Sequence, residues 1–255
     1  MTGKVIVSAS DAITAKLVEE AEFDGIWISG FEASARLGLA DNGSITMTEM
    51  LNIARPIIEA VKLPVWVDVD TGYGNFQRTV REFERIGAEG ICVQDDIPHK
   101  KNNSLWGGKS ELMGVSEFAK KIKVKRNRIK IVARTESIIR GYGKREANKR
   151  LNAYLQDGGA DILLPHVRNI DDILSISNYE DRIYAIVPTK FPACTNEGLF
   201  NHGYKMVIWA NQTERVKIKA TRECLKSLKD FDSAEFIEKN LSATLEDMRG
   251  LTPED

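Results

Sequence analysis

Eight short apolar runs rich in β-branched residues alternate with longer amphipathic stretches along this chain, and that alternation limits its fold more than any single residue does. The runs are Lys4–Ser8, Gly25–Ser29, Pro64–Asp68, Gly90–Gln94, Ile129–Arg134, Asp161–Pro165, Ile183–Pro188 and Lys205–Ala210. Helical patterns fall between or after them at Ala12–Glu22, Thr48–Val61, Phe76–Ile86, Val115–Lys123, Arg145–Asp157 and Glu214–Leu228. Glycine junctions at Asp24–Gly25, Gly87–Gly90 and Gly158–Asp161 end helices and start strands. Eight such units in about 230 residues predict a single α/β domain over residues 1–255, a (β/α)₈ TIM barrel. A doubly wound open sheet is the alternative, but no GxGxxG follows the first strand. Residues 231–255 carry one more amphipathic segment, Ser233–Met248, read as an additional C-terminal helix.

Charge and cysteine usage narrow the partners. Lys and Arg (36) nearly balance Asp and Glu (37), so no global field favours nucleic acid or an acidic membrane. Three widely spaced cysteines, Cys92, Cys194 and Cys224, make no zinc spacing and fit a reducing cytoplasm. The opening MTGKVIVSASDA reads as a first strand, not a signal peptide, and no stretch reaches the roughly 18 apolar residues of a membrane span.

In a barrel of this kind chemistry sits where strands end and the following loops begin. Here those positions are polar: Trp27, Ser29, Gly30 and Phe31 after the second strand, Asp68 and Asp70 after the third, Gln94 to Asp96 after the fourth. Arg134 and Glu136 follow the fifth, His166 the sixth, Thr189 and Lys190 the seventh, and Trp209 and Asn211 the eighth. Asp68 and Asp70 are two apart, so in an extended strand they share a face where a divalent cation could sit. Together the rim offers carboxylates for a cation and an arginine, a histidine and an asparagine for an anion. Plainer readings exist for each: Arg134 could pair with Glu136 or a rim aspartate, and His166 could be a satisfied core histidine. Trp27 and Trp209 could be packing residues, and Cys92 and Cys224 small buried hydrophobes.

Taken together, VDVDTGYGN, IWISGFEASARLGLADNGS, KKNNSLWGG, IVARTES, ILLPH, IVPTK and VIWAN resemble the phosphoenolpyruvate mutase branch of the isocitrate lyase superfamily, over roughly residues 3–230. The resemblance implies a Mg²⁺-dependent barrel that exchanges its last helix between subunits of a dimer or tetramer. It implies a small phosphorylated or 2-oxo acid substrate and interconversion of phosphoenolpyruvate and phosphonopyruvate. By the same resemblance Asp68 binds the metal, while Asp41, Asp70 and Gln94 hold its waters. Ser29, Gly30 and Phe31, walled by Trp27, cradle the carboxylate and enolate oxygens. Arg134 and His166 grip the phosphoryl group, and Asn103 with Ser104 closes over it. Lys100 or Lys101 supplies a loop cation, and Asn211 lines the site. Family mutases carry EDK followed five residues later by NS, whereas Gln94 to Ser104 reads QDDIPHKKNNS, with Gln for Glu, Asp for Lys and one extra residue. Superfamily lyases place a catalytic cysteine in this loop, which Lys100–Ser104 lacks. Phosphonopyruvate hydrolysis, carbon–carbon lysis or decarboxylation, and a non-catalytic barrel are the other readings.

Overall fold

The computed structural model describes residues 3–97, 111–174, 176 and 182–252. They form two compact units, Met1–Ala210 and Asn211–Asp255. The first unit runs β1 (Lys4–Ser8), α1 (Ala12–Glu20), β2 (Gly25–Ile28), α2 (Gly30–Arg36), α3 (Met47–Ala60), β3 (Val65–Asp68) and α4 (Phe76–Arg85). It continues through β4 (Gly90–Gln94), α5 (Val115–Ile122), β5 (Lys130–Thr135), α6 (Gly143–Gln156), β6 (Ile162–Pro165), α7 (Ile170–Leu174), β7 (Ala185–Ile186), α8 (Asn196–Asn201) and β8 (Met206–Trp209).

All seven strand pairings are parallel, in the order β6-β5-β4-β3-β2-β1-β8-β7. The two ends of that order meet where Leu163 bridges Tyr184, its N–H donating to Ile183 O at 2.9 Å. The sheet therefore nearly closes, as the strand and helix count predicts. Strand alternation sorts the core into two compartments. Ile6, Trp27, Trp66, Cys92, Val132, Ile162, Leu164, Ala185, Met206, Ile208 and Ala210 fill the barrel interior. Residues of the opposite parity, such as Val67, Ile91 and Ile131, pack outward with the helices. Gly90 has a packing reason: a Cβ there would sit 2.4 Å from the Trp66 ring, so only glycine lets that indole occupy the barrel.

Local chemistry sets the helix starts. Asp11 caps α1 by accepting from Thr14 N at 2.8 Å, Thr46 and Glu49 form a capping box for α3, and Asn75 caps α4. The short helices α2, α7 and α8 are absent from the sequence reading, and two expected elements differ in extent. The seventh strand shrinks from Ile183–Pro188 to Ala185–Ile186; Pro188 has no N–H to extend the ladder at its C-terminal end, and Tyr184 keeps only an isolated bridge to Leu163. The second unit holds α9 (Gln212–Phe231), α10 (Glu235–Asn240) and α11 (Leu245–Gly250), so Ser233–Met248 is two short helices and not one. Asp232, with φ 47°, ends α9, and a Thr244–Asp247 capping box starts α11 afresh.

Candidate active site at the C-terminal rim of the barrel

The parity that sends Ile6, Trp27, Trp66, Cys92, Val132 and Leu164 into the barrel also directs Ser8, Ser29, Asp68, Gln94, Arg134 and His166 inward, one layer nearer the strands' C-terminal ends. Trp27 lies beneath that layer, 2% exposed within the interior cluster. It supports the site from below.

Asp68 is the last residue of β3. Asp70 is not in extended strand, as the two-residue spacing suggests, but left-handed at φ 48°, with Gly72, Tyr73 and Gly74 also at positive φ. The turn dictated by TGYG bends the chain back, and the Asp70 N–H donates to Asp68 Oδ1 at 3.1 Å. Both carboxylates nevertheless converge on α2: a Cβ at Gly30 would lie 3.6 Å from Asp70 Oδ2 and 3.7 Å from Asp68 Cγ. The N–H groups of Gly30 and Phe31 open α2, where helical N–H groups have no intrahelical acceptor. Beneath them, Ser8 at the end of β1 donates to Glu32 Oε1 at 2.9 Å, tying the first turn of α2 to the barrel wall.

Arg134 is the hub. Its Nη1 donates to Asp68 Oδ2 at 2.7 Å, its Nη2 donates to Gln94 Oε1, and its Nε lies 2.8 Å from Glu136 Oε1 in an ion pair off the hydrogen-bonding direction. Burial works against the charge, but the Asp68 and Glu136 carboxylates outweigh it and hold the guanidinium proton more tightly than usual. The other oxygen of Glu136 meets His166 Nδ1 at 2.8 Å. An ionised carboxylate only accepts, so Nδ1 carries the proton and Nε2 is the nitrogen left for a ligand. Sequence reading gave Glu136 only as a pairing partner for Arg134, yet it orients both anion-binding candidates. Its position two residues after Arg134, on the same parity, is the signal that could have marked it.

Asp95 has the opposite parity and a different task. It accepts from Thr135 Oγ1, Glu136 N, Arg150 Nη1 and Tyr154 OH at 2.8, 2.9, 3.0 and 2.6 Å. Burial pushes its carboxyl up, and these donors pull it down. It clamps the end of β5, including the backbone of Glu136, to α6. Asp96 pairs with Arg140 in a fully buried contact of 2.9 Å. Cys92, the register partner of Asp68 across β3 and β4, has its thiol pushed far up by burial and is no nucleophile.

At the ends of β3, β4 and β5, the buried carboxylates Asp68, Asp70, Asp95, Asp96 and Glu136 face the buried guanidiniums of Arg134, Arg140 and Arg150. Counted formally, with every carboxyl ionised, five against three leaves an excess of two negative charges before His166 is counted, though burial raises the Asp95 carboxyl. Among the described residues no group of three or more His, Cys, Asp or Glu side chains forms a metal cage. Asp41 lies half-buried in the connection between α2 and α3, and Asn211 opens the second unit in left-handed conformation at φ 66°. Lys101, Asn103 and Ser104 lie outside the described residues.

The family model described as phosphoenolpyruvate phosphomutase matches residues 2–229. A phosphoenolpyruvate phosphomutase of Tetrahymena pyriformis is 32% identical over 256 residues, covering 96% of this chain and 85% of the relative. A phosphonopyruvate hydrolase of Variovorax is 33% identical over 231 residues, covering 85% and 79%. Among solved structures, a phosphoenolpyruvate phosphomutase from Streptomyces platensis subsp. rosaceus superposes with a TM-score of 0.92 at 32% identity, covering 98% of this chain and 91% of that one. A phosphonopyruvate hydrolase in complex with oxalate and Mg²⁺ gives 0.87 at 28% identity, covering 97% and 89%. With the rim carboxylates, the Arg134 hub and the nearly closed parallel barrel, these matches establish that the chain belongs to the phosphoenolpyruvate phosphomutase family, within the phosphoenolpyruvate mutase and isocitrate lyase superfamily.

Proposed function

We propose that this protein is a Mg²⁺-dependent phosphonomutase, interconverting phosphoenolpyruvate, or a substituted form of it, with the corresponding phosphonopyruvate. The carrying observation is the disposition of Glu136. Both its oxygens are engaged, one at 2.8 Å from Arg134 Nε and the other at 2.8 Å from His166 Nδ1. The carboxylate that the two anion-binding candidates share is thus committed to orienting donors rather than to activating water on phosphorus. Asp95 and Asp96 are likewise committed, to Arg150 and Arg140. A hydrolase needs such a base, whereas a mutase needs the phosphoryl group held and water kept out.

The donors present suit a hydrated divalent cation. Asp68 and Asp70 lie together beside Gly30, among buried carboxyls that outnumber the buried guanidiniums. The Tyr73 hydroxyl is buried without a hydrogen-bond partner among the described residues, and burial together with Asp70 and Asp68 keeps it protonated. Mg²⁺ takes one or two protein carboxylates and completes its shell with water, so a full protein cage is not required. Bound Mg²⁺ would neutralise charge on the enolate and carboxylate oxygens of the substrate. The Gly30 and Phe31 N–H groups supply fixed donors for the same oxygens. Arg134 and the Nε2 side of His166 hold the phosphoryl oxygens while the P–O bond to the enol oxygen breaks and a P–C bond to carbon three forms. Asp41, Gln94, Lys101, Asn103 and Ser104 belong to this reading as the residues that order metal waters and close over the phosphoryl group.

The test is incubation with Mg²⁺ and phosphonopyruvate, followed by ³¹P NMR. The phosphoenolpyruvate signal is expected to grow faster than that of inorganic phosphate. Phosphate and pyruvate alone would move the protein to the hydrolases, and turnover of a carbon acid with neither phosphorus compound touched would move it to the lyases.

A homo-oligomer, with the C-terminal helices exchanged or packed between subunits, is part of the same reading. Val216, Leu225 and Phe231 of α9 and Leu245 of α11 are exposed at 67, 61, 62 and 86%. So large an apolar display in one small unit is what a subunit interface covers. Light scattering is expected to give a dimer or tetramer, and Leu225→Glu to shift it toward monomer. A monomer at micromolar concentration would overturn this.

A further inference from the structure

Gln94 sits between two charged systems, and its amide can face only one way. It is the register partner of Arg134 across β4 and β5, and its Oε1 accepts from Arg134 Nη2. A guanidinium has donors and no acceptor, so the amide oxygen is forced toward it and the amide nitrogen away from it. That nitrogen meets Asp96 Oδ2 at 3.5 Å, a long hydrogen bond to an atom that only accepts when ionised. Asp96 cannot turn aside, because Arg140 holds it from Nη2 at 2.9 Å and Nε at 3.3 Å, with both side chains fully buried. Arg140 is fixed in turn, its N–H donating to Glu136 O at 2.9 Å. The result is a continuous run, Arg140 to Asp96 to Gln94 to Arg134 to Asp68, in which donors face acceptors at every step.

We infer that Gln94, Asp96 and Arg140 are positioning residues that set the plane of the Arg134 guanidinium, and that the identities at 94 and 96 are interdependent. The inference rests on the reading of Arg134 as the phosphoryl-binding cation. Only a group with an acceptor at one end and a donor at the other fits between a guanidinium and a carboxylate. A glutamate at 94 could accept from Arg134 only while setting a second carboxylate against Asp96, and that repulsion loosens its hold on the guanidinium. An aliphatic residue would release both neighbours. Stability alone does not account for the Asp96–Arg140 pair, because buried ion pairs are often replaceable by apolar residues without loss. Holding one orientation of Arg134 does account for it. The departure from the EDK pattern is then one coupled change: the amide at 94 is what makes a carboxylate at 96 tolerable.

The test is a double-mutant cycle with Gln94→Glu, Asp96→Asn and the pair combined. Gln94→Glu adds a negative charge and Asp96→Asn removes one, so the combined variant keeps the wild-type net charge. It also restores a donor at 96 facing an acceptor at 94, with the loss of one Arg140 contact. Each single variant is expected to lower kcat about tenfold or more while KM moves by less than about threefold, and the combined variant to exceed the product of the two single effects by about tenfold. Melting temperatures near wild type show that the variants fold. Independent of turnover, the Arg134 Nη resonances in ¹⁵N-arginine-labelled protein, assigned by their loss in Arg134→Lys, should be separate in the wild type and the combined variant and merged in Gln94→Glu. Additive single effects, an unaltered Asp96→Asn, or an Arg134 signal indifferent to residue 94 would overturn the inference. If the wild type turns over no phosphorus substrate, the proposed reaction fails, while the resonances still judge the positioning.

Discussion

Asp68→Ala is expected to remove turnover by at least about 10³-fold and to abolish its dependence on Mg²⁺, the scale of a lost metal contact worth several kcal/mol. Two roles converge on this side chain. Its Oδ2 accepts from Arg134 at 2.7 Å, and its Oδ1 accepts from the Asp70 N–H at 3.1 Å, so it joins the anion-binding hub to the turn that carries the second carboxylate. Asp70→Ala removes a carboxylate but leaves both contacts in place. It should retain measurable activity with the Mg²⁺ requirement shifted to higher concentration, because ordering of metal waters is lost rather than the metal itself. Titrating Mg²⁺ against initial rate for the wild type and both variants separates the two assignments. Full wild-type activity in excess chelator would sink the metal reading, and equal effects of the two substitutions would remove the distinction between them.

Much of the fold is legible because a parallel barrel repeats one unit, and each strand advertises itself by a β-branched run closed by a turn residue. β1 and β4 match the sequence reading residue for residue, and most other strand ends lie within one or two. What escapes is short or irregular. α2, α7 and α8 span seven, five and six residues, too few for a 3.6-residue period to stand out. The C-terminal segment looked like one amphipathic helix because its apolar residues keep helical spacing across Leu241–Thr244, where Thr244 restarts the chain with its own cap. Nothing in hydropathy reports a capping box that interrupts.

The site divides along a different line. Residues that one strand delivers by parity, Asp68, Gln94, Arg134 and His166, could be placed at the rim from the sequence because alternation carries them there. Partnerships that span strands could not. Asp96 and Arg140 are 44 positions apart, and Asp95 and Arg150 are 55 apart. Sequence spacing holds no trace of such pairs; strand register and the return of α6 over β5 create them. Asp70 shows a third kind of miss. Its residue type was read correctly and its backbone was not, because the TGYG turn imposes a left-handed conformation two residues before its first glycine, Gly72.

Arg134→Lys should keep the protein folded and still cost roughly 10²–10³-fold in kcat, comparable with the loss of a fixed transition-state donor. The reason is shape. The guanidinium fork addresses Asp68, Gln94 and Glu136 from three different nitrogens, and an ammonium is a compact charge that cannot hold those directions at once. Charge is conserved, so the Asp68 and Glu136 carboxylates still face a cation, and unfolding in urea should change little. Arg134→Met removes the charge as well, leaving those carboxylates in a buried setting without their cation, and should cost about 3–5 kcal/mol of stability in addition to activity. A purely structural Arg134 makes the opposite forecast: Lys would restore both stability and turnover, and only Met would be defective. Measuring kcat, KM and the urea midpoint for the two variants decides between orientation and charge. An Arg134→Lys enzyme within about threefold of wild type in kcat would show that the direction of the guanidinium is not what the reaction uses.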